Sequence, residues 1–335
     1  MADIAEIVRC PSTHGPLTLD RTMEKFGSQN GTAYSFGDNI GRFLAPVAAN
    51  DGNRSTRAFY EEGGWATDSD GLYEDTKKFV DTRPTSLRFT RACMERLQKY
   101  FSKGGQYLLD AGSGPIAHKE LLGYGDNFDK RVCLDLSVPA LHEAQRKLGD
   151  RGIYLQGDLT NLPIQSNVID AVMSYHVIYQ LPPDLQAAAF RELWRVLKPG
   201  GVAVIVYWWA EPKLPWRVQR VANMLLGGKK QQPDPEPQTN PANVPDHNPL
   251  SFEWFRSQDW PFPYKLDTYR VVGNSFLRSS IPDDWRGAAF LKMLMTFQRL
   301  APAYCGKHGL MPAIVLKKAR TPEISRYVPD AMRKR

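Results

Sequence analysis

The chain has 335 residues, 42% hydrophobic and 24% charged, the balance of an ordinary globular protein with room for one large domain or two modest ones. Its net charge of +7 is moderate and partly gathered in the tail at Arg326 and Arg333, Lys334 and Arg335, so charge alone does not favour nucleic acid as a partner. No apolar run reaches membrane-spanning length, the opening residues lack a signal-peptide core, and four scattered cysteines (Cys10, Cys93, Cys133, Cys305) form no C-x-x-C; disulfides and metal are not expected, and a cytoplasmic setting is.

In chain order, Val8 to Leu19 reads as strand, knuckle, strand, and Thr32 to Phe36 with Ile40 to Leu44 closes a small β-rich unit over residues 1–50. Residues 51–105 begin with aromatics and acids of no clear period, including Tyr60, Trp65 and Tyr73, which suits a lid better than a core. Leu87 to Tyr100 is an amphipathic helix leading into the first strand of a unit spanning 106–320. Within 209–262 an insertion opens with a basic amphipathic helix, Pro215 to Leu226, stopped by Gly227 and Gly228. That helix is the one place where contact with a membrane surface is conceivable, but a lid or core contact explains it better. A Pro-, Gln- and Asn-rich stretch follows from Lys229 to Leu250. Lys265 to Ser279 alternates like a strand, Trp285 to Leu300 reads as a helix, and Met311 to Lys317 as a final, antiparallel strand; 321–335 is a basic tail.

The chemistry gathers in the middle. Leu108-Leu109-Asp110-Ala111-Gly112-Ser113-Gly114 is an apolar strand ending in an acid, followed by two glycines in alternation. Glycines there let a ligand approach the backbone, and Ile116 to Leu122 can start a helix whose N–H groups face it. Val132 to Asp135 repeats the pattern, and an acid at that strand end is placed for a ribose diol. A third acid, Asp158, follows the strand Ile153 to Gln156, with Leu159 beside it. Read literally, Gly112-x-Gly114-x-x-Ala117 with Asp135 also satisfies the dinucleotide fingerprint. Asp110 opposes that reading, because its carboxylate would lie beside a pyrophosphate.

Val168 to Ser174 and Glu192 to Gly201, before a strand Val202 to Tyr207, complete four motifs in order. The run from Gln106 to Trp208 resembles a class I S-adenosylmethionine (SAM)-dependent methyltransferase of the type-11 group. That resemblance implies an α/β fold: a seven-stranded, mostly parallel Rossmann-like sheet with helices on both faces. It implies SAM as cofactor, held by Asp110, Gly112, Gly114, Asp135, Leu136, Asp158, Leu159 and Ser174. The family's third loop glycine is Ile116 here, which implies a tighter fit around the methionine moiety. Residues 7–44 are similar to the short zinc-ribbon module that accompanies many methyltransferases, but three of its four ligands are replaced: Cys10 stands alone, with Thr13, Gly27 and Asn30 at the other positions. The expectation is ribbon geometry without metal.

The segment Ser174 to Gln180 falls where the family places the reactive methyl. His176 is the candidate catalytic residue, either a general base or a side chain packed on the cofactor. Tyr60, Trp65, Tyr175, Tyr179 and Trp208 are the candidate substrate residues, since aromatics at the mouth suit an apolar or planar acceptor. The expected function is methyl transfer to a small molecule. Two alternatives stand beside it: a tRNA or protein methyltransferase, suggested by the ribbon, and a NAD-binding oxidoreductase, suggested by the fingerprint.

Overall fold

The computed structural model describes residues 3–44, 60, 65, 73, 80–227 and 246–320. Most of 51–79 in the expected lid, the middle of the insertion and the basic tail lie outside them.

Helix α1 (Asp3–Ile7) precedes a meander of four short strands, β1 (Leu17–Asp20), β2 (Lys25–Ser28), β3 (Ala33–Gly37) and β4 (Ile40–Arg42). Helix α2 (Pro84–Leu97) leads into β5 (Gly105–Ala111), α3 (Lys119–Leu122), β6 (Phe128–Asp135), α4 (Val138–Leu148), β7 (Gly152–Gln156), β8 (Ile169–Tyr175), α5 (Pro183–Val196) and β9 (Leu197–Val206). Then come α6 (Leu214–Leu226), α7 (Phe252–Ser257), β10 (Tyr264–Arg270), α8 (Asn274–Ser280), α9 (Trp285–Leu300), α10 (Pro302–His308) and β11 (Met311–Lys317).

The strands form one sheet in the order β1-β2-β3-β4-β7-β6-β5-β8-β9-β11-β10. Seven strands were expected and eleven are present among the described residues. The N-terminal meander does not stand apart: Ile40, Gly41 and Arg42 pair in parallel with Tyr154, Leu155 and Gln156, so β4 extends the sheet edge at β7. Arg9 fastens the join from below. It is 8% exposed, donates from Nε to the Leu162 carbonyl at 3.2 Å, and ion-pairs with Glu192 at 3.2 Å. β11 runs antiparallel between β9 and β10, as expected, which leaves β10 pointing the same way as β5 to β9. The alternating stretch Lys265 to Ser279 is strand only as far as Arg270; Asn274–Ser280 is helix, because a seven-residue strand already spans its partner β11.

Local signals set the helix ends. The Ser137 hydroxyl caps α4 by accepting from the Ala140 N–H, and the Asp284 carboxylate caps α9 by accepting from Arg286 and Gly287. Gly227 ends α6 at φ 66°, a left-handed position that glycine takes without penalty. The central strands are apolar on both faces because both are covered: Leu109, Val132, Leu155, Val172 and Ile205 belong to one buried cluster, and Leu108, Met173, Val204 and Tyr269 to the other. No described helix is long and apolar enough to cross a membrane.

Candidate functional site

In an open parallel sheet, ligands bind outside the carboxyl ends of the strands. The chain brings most of its predicted site residues to that edge. The loop after β5 turns through Gly112 at φ 80° and Gly114 at φ 50°. A methyl group on Gly112 would stand 2.3 Å from Val177, so this glycine lets the loop after β8 close on the loop after β5. A methyl on Gly114 would stand 2.8 Å from the Trp65 indole, which lies against the loop. Ile116 sits at φ 53° and is 1% exposed, a β-branched residue held in the left-handed region by the packing of its side chain.

Asp135 ends β6 and reaches across to the glycine loop. Its Oδ2 accepts the Gly114 N–H at 2.8 Å, and its Oδ1 accepts the Ser137 N–H at 2.9 Å. Burial among its neighbours raises its pKa to about 6; the two backbone N–H groups act in the opposite direction. Asp110, on the same face of the neighbouring strand, is 3% exposed and holds Arg131, itself 2% exposed, at 2.5 Å. Arg131 also donates to the Leu121 carbonyl at 2.7 Å, so the pair ties β5, β6 and α3 together. A paired, buried carboxylate behaves differently from a bare one: its charge is already matched within the chain.

The remaining positions expected from sequence to face a cofactor follow the strand ends. The Asp158 Oδ1 accepts from the backbone and hydroxyl of Thr160 at 2.7 and 2.8 Å and so stabilises its own turn. Leu159 is buried beside it, and the Leu136 carbonyl accepts from the Gln156 amide at 3.0 Å. The fully buried Ser174 donates its hydroxyl to the Ala111 carbonyl at 2.9 Å, which holds the end of β8 against the end of β5.

His176 follows β8 at φ 62°. Its Nδ1 is buried with no hydrogen-bond partner. Burial, then the charge of Arg270, then that of His118, push its pKa down to about 3, so the ring is neutral across the physiological range. Around it stand aromatic rings: Tyr269 at 5.3 Å and Tyr179 at 6.1 Å between centroids. Tyr179 in turn meets Trp208 at 6.0 Å and His247 at 5.2 Å. Tyr175 donates its hydroxyl to Tyr124 at 3.1 Å, and Tyr124 passes a hydrogen bond to the Met94 carbonyl at 2.5 Å. On the glycine-loop side, Tyr60 stacks on Trp65 at 4.8 Å, and the Trp65 Nε1–H is buried without a partner. Of the five aromatics named from sequence, three thus gather about His176 and two about Gly114.

Other aromatics of the insertion are structural. Trp209 is 1% exposed, donates to the Gly306 carbonyl at 2.8 Å and packs on Phe252 and Phe255. The Leu250 N–H donates to the Tyr207 hydroxyl at 3.0 Å, and the Asn248 N–H to the Tyr179 carbonyl at 2.7 Å, so the end of the insertion is laced onto the site. Sequence reasoning missed Arg131, His247, Tyr269 and Arg270. Only the charged residues interrupting otherwise apolar strands gave any signal of them.

In the N-terminal module the knuckle is a turn in which the Thr13 N–H donates to Cys10 Sγ at 3.4 Å and the His14 N–H to the Cys10 carbonyl at 2.8 Å. Cys10 Sγ lies 3.3 Å from the Tyr34 hydroxyl. Asn30 accepts from Thr32 N–H at 3.2 Å, and Gly27 lies within β2. Among the described residues no group of three or more His, Cys, Asp or Glu side chains stands together as a metal site would.

Comparison with known proteins places these observations. Residues 109–205 match the family model of a methyltransferase domain. The chain is 38% identical over 95 residues to a malonyl-[acyl-carrier protein] O-methyltransferase of Enterobacter lignolyticus, covering 28% of this chain and 36% of that protein. It is 31% identical over 109 residues to a ubiquinone/menaquinone biosynthesis C-methyltransferase of Coxiella burnetii, covering 30% and 42%. It is 32% identical over 109 residues to an Arabidopsis thaliana tRNA (carboxymethyluridine(34)-5-O)-methyltransferase, covering 32% and 25%. The chain therefore spans less than half the length of each of these relatives. A solved SAM-dependent methyltransferase from Archaeoglobus fulgidus overlays with a TM-score of 0.42 at 16% identity, covering 73% of this chain and 98% of that one. The matched stretch, residues 109–205, runs from the second half of β5 through the glycine loop to β9.

Proposed function

We propose that the chain is a SAM-dependent methyltransferase acting on a small-molecule acceptor. The observation that carries this reading is Asp135: a carboxylate at the end of the second parallel strand, fixed by two backbone N–H groups beside the glycine loop. That is where an acceptor for two ribose hydroxyls belongs. The unpartnered Trp65 Nε1–H, buried against Gly114, marks the same loop as a place that lacks a hydrogen-bond acceptor. Asp158 and Leu159 would take the adenine side, Leu136 the ribose, and Gly112, Gly114 and the Arg131-paired Asp110 the methionine end, with Ser174 fixing the loop from below.

When bound, SAM supplies a methyl group on a reactive sulfonium. The work left to the chain is to position the acceptor and exclude water, and a base is optional when the acceptor is already a nucleophile. His176, Tyr175, Tyr179 and Trp208 would form the wall that receives the acceptor, with Tyr60 and Trp65 closing the loop side. A histidine with its pKa pushed down to about 3 is a poor proton acceptor, which favours packing and hydrogen bonding over general base catalysis for His176. Relatives named as O- and C-methyltransferases support methyl transfer without fixing the atom methylated.

The relative named as a tRNA methyltransferase supports the rival acceptor. Release of S-adenosylhomocysteine from SAM, measured in parallel with a small-molecule library and with total tRNA, decides between them. Turnover only with tRNA overturns the small-molecule reading, and binding of NADH in place of SAM overturns both.

A further inference from the structure

Arg270 closes β10, and β10 is parallel to the central strands, so its guanidinium arrives at the same carboxyl edge as the glycine loop and His176. It is 3% exposed. Its hydrogen-bond partners are neutral: the Thr90 hydroxyl at 3.2 Å, the Asn274 side-chain oxygen at 3.1 Å and the Met311 sulfur at 3.5 Å. Its Nε is buried with no partner at all. Among the described residues, the acids of the neighbouring elements are engaged elsewhere. Asp81 holds Arg83 at 2.7 Å, Glu120 holds Arg91 at 2.9 Å, and Asp267 holds Lys99 at 2.8 Å and the Tyr100 hydroxyl at 2.6 Å. A buried guanidinium without a carboxylate carries a large desolvation penalty, which a chain retains where a ligand supplies the counter-charge.

The position of Arg270 says which ligand. Asp135, Asp158 and the glycine loop stand at the ends of β6, β7 and β5, on one side of His176. Arg270 stands on the other side, beyond β8, β9 and β11 in the sheet order. It touches the Tyr269 ring at 5.3 Å, and that ring touches His176 at 5.3 Å. The unpartnered Nδ1 of His176 and the unpartnered Nε of Arg270 are thus neighbours across one tyrosine. We infer that the acceptor carries a carboxylate, which Arg270 receives while the rest of the acceptor lies against Tyr269 and His176. This rests on the methyltransferase reading above. An arginine suits the task, since its fork matches a carboxylate in two hydrogen bonds and it stays charged when buried.

The test uses the full chain loaded with S-adenosylhomocysteine and a panel of hydroxybenzoic acids with their matching hydroxybenzamides, titrated by calorimetry. The acids are expected to bind about 10–100-fold more tightly than the amides, the worth of a charge-assisted hydrogen-bond pair. Arg270→Gln should erase that preference, and Arg270→Lys should keep part of it, with S-adenosylhomocysteine affinity unchanged in both variants. Unchanged affinity for that ligand also shows that the variants fold. Acids that bind the native chain no better than amides, including a panel in which neither binds, overturn the inference. So does a loss confined to S-adenosylhomocysteine affinity, which would assign the carboxylate to the cofactor. A native chain that binds no S-adenosylhomocysteine overturns the methyltransferase reading itself.

Discussion

The carboxyl edge of the sheet has two halves, and they differ in how their polar groups are satisfied. On the β5–β6 side, Asp110 has Arg131 and Asp135 has two backbone N–H groups. On the β8–β10 side, His176 Nδ1 and Arg270 Nε have nothing. The first half, its carboxylates matched and only the Trp65 Nε1–H open beside Gly114, is built to hold one shape whatever the acceptor, while the unsatisfied half is completed by what enters it. The first suits a cofactor-binding frame and the second an acceptor pocket.

The largest effect should come from breaking the satisfied half. Arg131→Ala strands the Asp110 carboxylate in a site 3% exposed, at a cost of about 3–5 kcal/mol, measured by denaturant unfolding. A loss under about 1 kcal/mol would mean that the pair is not an anchor. A smaller test in the same half is Ile116→Gly. Removing left-handed strain returns about 1–2 kcal/mol, but deleting a side chain only 1% exposed loses about 2–5 kcal/mol. The net expectation is a chain weakened by about 1–3 kcal/mol. A stabilised variant would show that strain outweighs packing in this loop.

The unsatisfied half gives a prediction of weaker amplitude. His176→Ala should lower turnover at saturating substrate by less than about tenfold, since a neutral ring with its pKa pushed down to about 3 is poorly suited to general base catalysis. A loss of about 10²-fold or more with normal SAM affinity would restore the base role. The two halves should also differ in pH response. Asp135, with its pKa raised to about 6, binds its proton more tightly folded than unfolded, so its ionisation subtracts stability as pH rises from about 4 to about 6. Its ionised form is the better acceptor for hydroxyls, so cofactor affinity should move the other way: full above that pKa, falling as pH drops through it. Affinity that is flat down to pH ~5 would exclude Asp135 as the titrating acceptor.

The same division decides what the sequence revealed. The placement of Asp110, Gly112, Gly114 and Asp135 at the ends of β5 and β6 was legible because strand, turn and acid follow one another within a few residues, and local order fixes their geometry. Trp285 to Leu300 and Met311 to Lys317 were read to the residue, since their periods are unbroken. Arg270 was not legible. It ends a strand remote in sequence from the glycine loop, and only the placing of β11 between β9 and β10 brings it to the site. Arg131 was hidden in the same way, as a charge in an apolar strand whose partner lies on the neighbouring one. The joining of the N-terminal meander to the sheet was missed because β4 is three residues long and carries no signal for the parallel pairing it makes with β7.

The central claim is that Asp135 binds the ribose of SAM. Calorimetric titration of SAM into the native chain and into Asp135→Ala tests it most directly. The account predicts one site in the native chain and a loss of about 1.5–3 kcal/mol, roughly 10–100-fold in affinity, in the variant. Equal SAM affinity in the two proteins, or NADH binding where SAM does not bind, would contradict it.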